Sequence, residues 1–134
     1  MSKKLDGIYR AKTLYDGLWK LYEGKTALRY TTGIDELDPI MRLIKPSFIL
    51  MTGVPNCGKS SLTFQILMET AKKHDFKWFI YSPESSLEVN LKRLIEKFVK
   101  KPFDPMFKNR CTIDEVAEAV DFIDKHFFFV DKKK

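Results

Sequence analysis

The run Gly53-Val54-Pro55-Asn56-Cys57-Gly58-Lys59-Ser60 limits what this chain can fold into more than any other stretch. It meets the pattern G-x-x-x-x-G-K-[ST] at every fixed position. At ordinary frequencies of glycine, lysine and serine or threonine, a chance match in a chain this long arises roughly once in a few hundred sequences. The pattern has meaning only between a strand and a helix, so its flanks decide. Before it stands Ser47-Phe48-Ile49-Leu50-Met51, a continuous apolar run of the kind a strand shows when buried on both faces. After it, Phe64, Leu67, Met68 and Ala71 mark one helical face, and Leu62 and Ile66 mark another. A helix apolar on two sides is sandwiched in a core.

The loop's chemistry follows from its residue types. Gly53 and Gly58 let the backbone curl until successive N–H groups point into one concavity. A helix starting near Lys59 adds its positive dipole end there. Lys59 then reaches the β- and γ-phosphates of a nucleoside triphosphate, and the Ser60 hydroxyl is a magnesium ligand. ATP and Mg2+ are the expected cofactors. Cys57 contributes its backbone N–H rather than its thiol. The bland alternative is a glycine turn that binds nothing.

Further elements alternate in type. Leu14, Tyr15, Leu18, Leu21 and Tyr22 form one helical face that Gly24 can end. Thr31-Thr32-Gly33 reads as a turn, followed by a short piece with Ile34, Leu37 and Ile40. Lys77-Trp78-Phe79-Ile80-Tyr81 is a second buried strand. Ser85 with Glu88 forms a capping box for a helix carrying Leu87, Leu91, Leu94, Ile95 and Phe98, which Pro102 stops. Thr112 with Glu115 repeats the signal before Ile113, Val116, Val120 and Ile123, and Phe127-Phe128-Phe129-Val130 is a third strand. Strands alternating with helices predict an α/β fold with a parallel sheet.

Composition excludes several classes. Hydrophobic residues make up 44% of the chain, too many for disorder. No apolar run spans a bilayer, so no membrane partner is expected, and the first residues lack the apolar region of a secretory signal. Cys57 and Cys111 fit no metal or disulfide pattern, which suits a reducing cytoplasm. The net charge of +6 is compatible with a nucleic-acid partner, although Lys132, Lys133 and Lys134 supply half of it.

Glu84 follows the second strand, at the carboxyl end where ligands sit in open α/β sheets. There it either orients an attacking water or favours the next helix N-terminus electrostatically. Its surroundings carry a resemblance. Thr32-Gly33 with Leu37-Asp38, the loop GVPNCGKSS, Ser82-Pro83-Glu84, the stretch from Leu94 through Lys101-Pro102-Phe103, and His126-Phe127-Phe128-Phe129-Val130 are together similar to the ATPase domain of replicative DNA helicases. These are the RecA-like, DnaB-type ring helicases, and the phage and Twinkle-like primase-helicase branch is the one resembled most.

The resemblance implies a P-loop NTPase of RecA-like fold, its N-terminal part lying at 28–134 and a linker helix at 1–27. It makes Glu84 the catalytic carboxylate beside Lys59. Nucleotide contacts are implied for Gly53, Val54, Pro55, Asn56, Cys57, Gly58, Lys59, Ser60 and Ser61. Single-stranded DNA and a homo-oligomeric ring are the implied partners. That family's Walker B aspartate, sensor residue, DNA loops and arginine finger have no obvious counterpart here, so the expected chain is the first half of such a domain. Asp131 follows four apolar residues as a Walker B aspartate would, but this strand normally precedes Walker B in the family. A RecA-like recombinase and a nucleotide-binding fragment without turnover remain alternatives.

Overall fold

In the computed structural model, residues 7–25 and 28–131 are described. Among them the chain forms four α-helices and two two-stranded sheets, a small α/β arrangement. The elements in order are α1 (Tyr15–Tyr22, entered through a 3-10 turn at Ala11–Leu14), β1 (Arg29–Tyr30), β2 (Leu43–Ile44), α2 (Lys59–His74), β3 (Trp78–Tyr81), α3 (Leu87–Val99), α4 (Ile113–His126) and β4 (Phe127–Val130).

β3 and β4 pair in parallel, with Trp78 opposite Phe127 and Tyr81 opposite Val130. Parallel neighbours need a long crossover, and α3 and α4 supply it. Side chains alternate along each strand. Ile80 and Phe127 therefore enter the main core, whereas Phe79 and Phe128 stack on the opposite face with ring centroids 4.9 Å apart. The strands expected to be buried are thus covered on one face only, and Phe79 is 73% exposed.

The expected strand at 47–51 does not form. No ladder pairs it, and Phe48 and Leu50 are 90% and 74% exposed. A strand buried on both faces needs hydrogen-bonded neighbours and a helix layer on each side. Among the described residues the parallel sheet ends at β3 and β4. The apolar run follows the rule for such a strand while the partners that would bury it are absent from this sheet.

α2 is buried on two sides as its pattern predicts, except that Leu62, expected on the second face with Ile66, stays exposed in the first turn. Phe64, Met68 and Ala71 pack with Ile80, Leu94, Ile95, Ala119, Ile123 and Phe127 in the main core. Ile66 turns the other way, to Leu43 and Phe76, with Met51 and Leu37 alongside. Trp78 touches both clusters and donates from Nε1 to Thr70 Oγ1 at 3.2 Å. Met68 and Leu94 are fully buried, each worth roughly 1.5–3 kcal/mol relative to exposure.

Helix ends follow local chemistry. Thr112 and Glu115 make the full capping box at the start of α4. At α3 the cap falls one residue later than expected. Ser86, in extended conformation, accepts from Val89 N–H, and Ser85 is left facing Arg93. α3 ends at Val99, where Lys100 at φ 60° closes onto Glu96 O, just ahead of Lys101, whose helical conformation Pro102 disfavours. α1 forms as predicted, but Leu14, Leu18 and Leu21 remain exposed along it.

A polar knot fixes the segment ahead of the loop. Buried Thr32 donates through both its amide and its hydroxyl to Asp38 Oδ1, the hydroxyl at 2.7 Å, and Ile34 N–H donates to Thr32 Oγ1 at 3.2 Å. Burial pushes the Asp38 carboxyl up, but the bonds from Thr32 and the charges of Arg42 and Lys73 outweigh it and hold it below its ordinary 3.8. Gly33 beside it has φ +85°, and a Cβ there would lie 2.6 Å from Glu69 Cβ on α2.

Two outcomes follow. Gly33→Ala both strains the backbone and strikes α2, so it is expected to cost more than about 1 kcal/mol and lower the melting temperature by at least about 4 °C in a thermal scan. Asp38 has a folded pKa below its unfolded one, so its contribution is complete above the unfolded value and is lost as pH falls through the folded value. The urea midpoint of the native chain should drop from about pH 5 downward, and the drop should be shallower in Asp38→Asn. Parallel acid profiles for the two proteins would refute this role of Asp38.

Candidate phosphate-binding site

The loop 53–58 delivers the chain to the first residue of α2. Two positions in it need unusual backbone. Gly58 sits at φ +89°, where an L side chain is strained, and Asn56 at φ 60°, a region that asparagine tolerates better than most residues. Gly53 has a different reason to be glycine. A Cβ there would lie 2.9 Å from Cys57 Sγ, so the cysteine side chain would have to turn aside to admit one.

Lys59 closes the loop from within. Its ammonium donates to Gly53 O at 2.7 Å and Val54 O at 2.6 Å, and lies 3.6 Å from Cys57 Sγ. The charge is thereby centred between the loop and the helix start rather than extended into solvent. α2 also lacks what α3 and α4 have. Its N-cap is Gly58, with no side-chain acceptor, and no acidic residue lies in its first turn. Its first N–H groups thus have no side chain to satisfy them, and the helix dipole there has no local counter-charge. An anion is the chemical complement of that arrangement.

The site residues expected from sequence converge in part. Lys59, Ser60 and Glu84 line one cavity of about 510 Å³, walled by Tyr81, Ser82, Ser85 and Arg93. Asn56, Cys57, Gly58, Lys59, Ser60 and Ser61 line a smaller one of about 310 Å³, again with Arg93. Gly53 and Val54 take part through the carbonyls that hold Lys59, while Pro55 is an exposed residue of the loop. Asp131 lines an adjoining cavity of about 640 Å³ that shares Ser82 and Ser85 with the first but includes neither Lys59 nor Ser60. Cys111 is buried, which pushes its thiol up, and it takes no part.

Arg93 is the residue that sequence reasoning missed. Only the apolar face of α3 was legible as a pattern, yet Arg93, Lys97 and Lys100 stand at i, i+4 and i+7 as a basic stripe beside it. That stripe faces the start of α2. Lys97 Nζ donates to Ser61 Oγ at 2.7 Å, and Arg93 Nη1 donates to Ser85 Oγ at 3.4 Å.

No protein-family model matches the chain, and no solved structure matches it. Over 128 residues the chain is 27% identical to the Twinkle homolog protein, chloroplastic/mitochondrial, of Arabidopsis thaliana, an alignment that takes in 91% of this chain. The chain spans 18% of that relative's length. The relationship is distant and runs along nearly all of the present sequence. No described helix is long and apolar enough to cross a membrane.

If the loop, the helix start and Lys59 form an anion site, inorganic tripolyphosphate should bind the native chain and bind Lys59→Ala at least about tenfold more weakly, since charge-assisted contacts of the ammonium have no substitute in the loop. Calorimetric titration of both proteins reads this directly. Equal affinities would remove Lys59 from the site.

Proposed function

We propose that the chain is the ATP-binding part of a replicative ring-type DNA helicase, RecA-like in fold and related to the Twinkle-like primase-helicases. The observation that carries the reading is the meeting of Lys59, Ser60 and Glu84 in one cavity at the uncapped start of α2. The distant likeness to a Twinkle homolog supports it.

In this reading the N–H groups around Asn56–Ser61 point toward the phosphates, and Lys59 exchanges its bonds to Gly53 O and Val54 O for phosphate oxygens. A magnesium ion bound there would offset phosphate charge, with the Ser60 hydroxyl as its protein ligand; among the described residues no cluster of three acidic, His or Cys side chains forms a separate metal cage. Glu84, exposed on the same cavity, orients the attacking water and accepts its proton. Single-stranded DNA is the polymer whose movement the hydrolysis would drive. A second copy of the protein is the partner that the exposed stripe Leu14, Leu18 and Leu21 would meet.

A second reading, nucleotide binding without turnover, draws on Asp131. The single aspartate placed like a Walker B residue in sequence lines a different cavity from Lys59.

The test is a pair of measurements on the native chain and Glu84→Gln. Calorimetry should give Mg-ATP binding to both, within about threefold of each other, because the carboxylate acts in turnover rather than in ground-state binding. Steady-state phosphate release with a single-stranded oligonucleotide present should fall by roughly 10²–10⁴-fold in Glu84→Gln. Binding with no turnover in the native chain would select the second reading. Absence of Mg-ATP binding would sink both.

A further inference from the structure

Arg93 occupies a junction. It lines the cavity with Lys59, Ser60 and Glu84, the one with Asn56, Cys57 and Gly58, and a third of about 510 Å³ with Ser60, Ser61, Lys97 and Lys100. Ser60 is the other residue common to these three. The second turn of α3 holds the guanidinium there, half-buried, with its Cζ 5.8 Å from the centre of the Phe64 ring. Phe64 is itself a core residue on α2, so the arginine's position is fixed by the packing of α2 on α3.

A guanidinium carries five N–H donors in a planar fork. The side-chain bond found for it is the long one to Ser85 Oγ at 3.4 Å. Ser85 directly follows Glu84, so Arg93 grips the segment that carries the carboxylate while facing the phosphate loop. A planar donor set aimed at a phosphate-binding concavity suits bidentate recognition of phosphate oxygens, which a lysine cannot reproduce.

We infer that Arg93 is a phosphate-contacting residue of the P-loop site, donating to the terminal phosphate of a nucleoside triphosphate and drawing Ser85 and Glu84 toward it. The inference rests on the ATP-binding reading above. It adds a cation supplied by the chain's own α3, and it makes the position of Glu84 depend on whether a third phosphate is present. With a diphosphate, Arg93 keeps Ser85 as its partner. With a triphosphate, the terminal oxygens take the fork and the loop 82–85 follows.

Discrimination between nucleotides is the readout, since a purely structural arginine would not alter it. Mg-ATP and Mg-ADP are titrated calorimetrically into the native chain, Arg93→Gln and Arg93→Lys, with circular dichroism checking that each variant is folded. Arg93→Gln should weaken ATP by about tenfold or more, the value of a charge-assisted hydrogen bond, and leave ADP within about twofold. Arg93→Lys should fall between, keeping charge but losing the fork. If Arg93→Gln does not fold, Arg93→Lys decides by the same ratio. Equal losses for both nucleotides, or no loss, overturn the role of Arg93 while leaving the P-loop reading intact. A native chain that binds neither nucleotide overturns both together, and that result is distinguishable because it appears before any substitution at Arg93.

Discussion

α2 has to satisfy two cores at once. Phe64, Met68 and Ala71 answer to α3, α4 and the parallel strands, while Ile66 answers to Leu43 and Phe76 on the other side. Rotation of the helix by a fraction of a turn would uncover one set while burying the other. The same rigid rod begins at Lys59 and Ser60, so the orientation of the donors at its start is set by packing that begins at Phe64, one turn further along. Gly33 contributes from outside, since the absence of a side chain lets the segment 31–34 lie against Glu69 on α2. The site therefore inherits its geometry from the hydrophobic packing of α2, and Phe64 belongs both to that packing and to the cavity wall.

Polar contacts then lock what packing has placed. The knot of Thr32 and Asp38 holds the approach to the loop. At the far end of α2, Asp75 lies 2.9 Å from Lys77 Nζ and 2.7 Å from His126 Nε2, tying that helix to the end of α4. Lys97 reaches Ser61 from α3. These bonds are few and partly exposed, so their value lies more in direction than in energy.

Much of this could be read in the chain beforehand, for definite physical reasons. The helices were legible because amphipathic spacing and caps are local, and Thr112 with Glu115 is a case where two side chains settle an end by themselves. α2's two faces were legible because both apolar sets recur at helical spacing. The segment 47–51 was not, because burial of a strand is decided by neighbours, and its composition speaks only of what it would tolerate. The cap of α3 moved from Ser85 to Ser86 because adjacent serines offer the same chemistry and the tertiary position of Arg93 chooses between them. At the site, the motif residues were legible as a contiguous run. Arg93 was not, since its role depends on α3 crossing the start of α2, a fact that no local spacing contains.

The bare start of α2 carries a thermodynamic consequence. Donors that no side chain satisfies leave the helix incomplete at one end, and an anion seated there finishes it as a cap would. Whatever binds is then part of the folded state and is lost on unfolding, so stability rises logarithmically with its free concentration. At a hundred times the dissociation constant that gain is about 2.7 kcal/mol, comparable to burying one large apolar side chain. Were an anion to bind there, the melting temperature of this chain would rise with the anion's free concentration and fall as it was depleted.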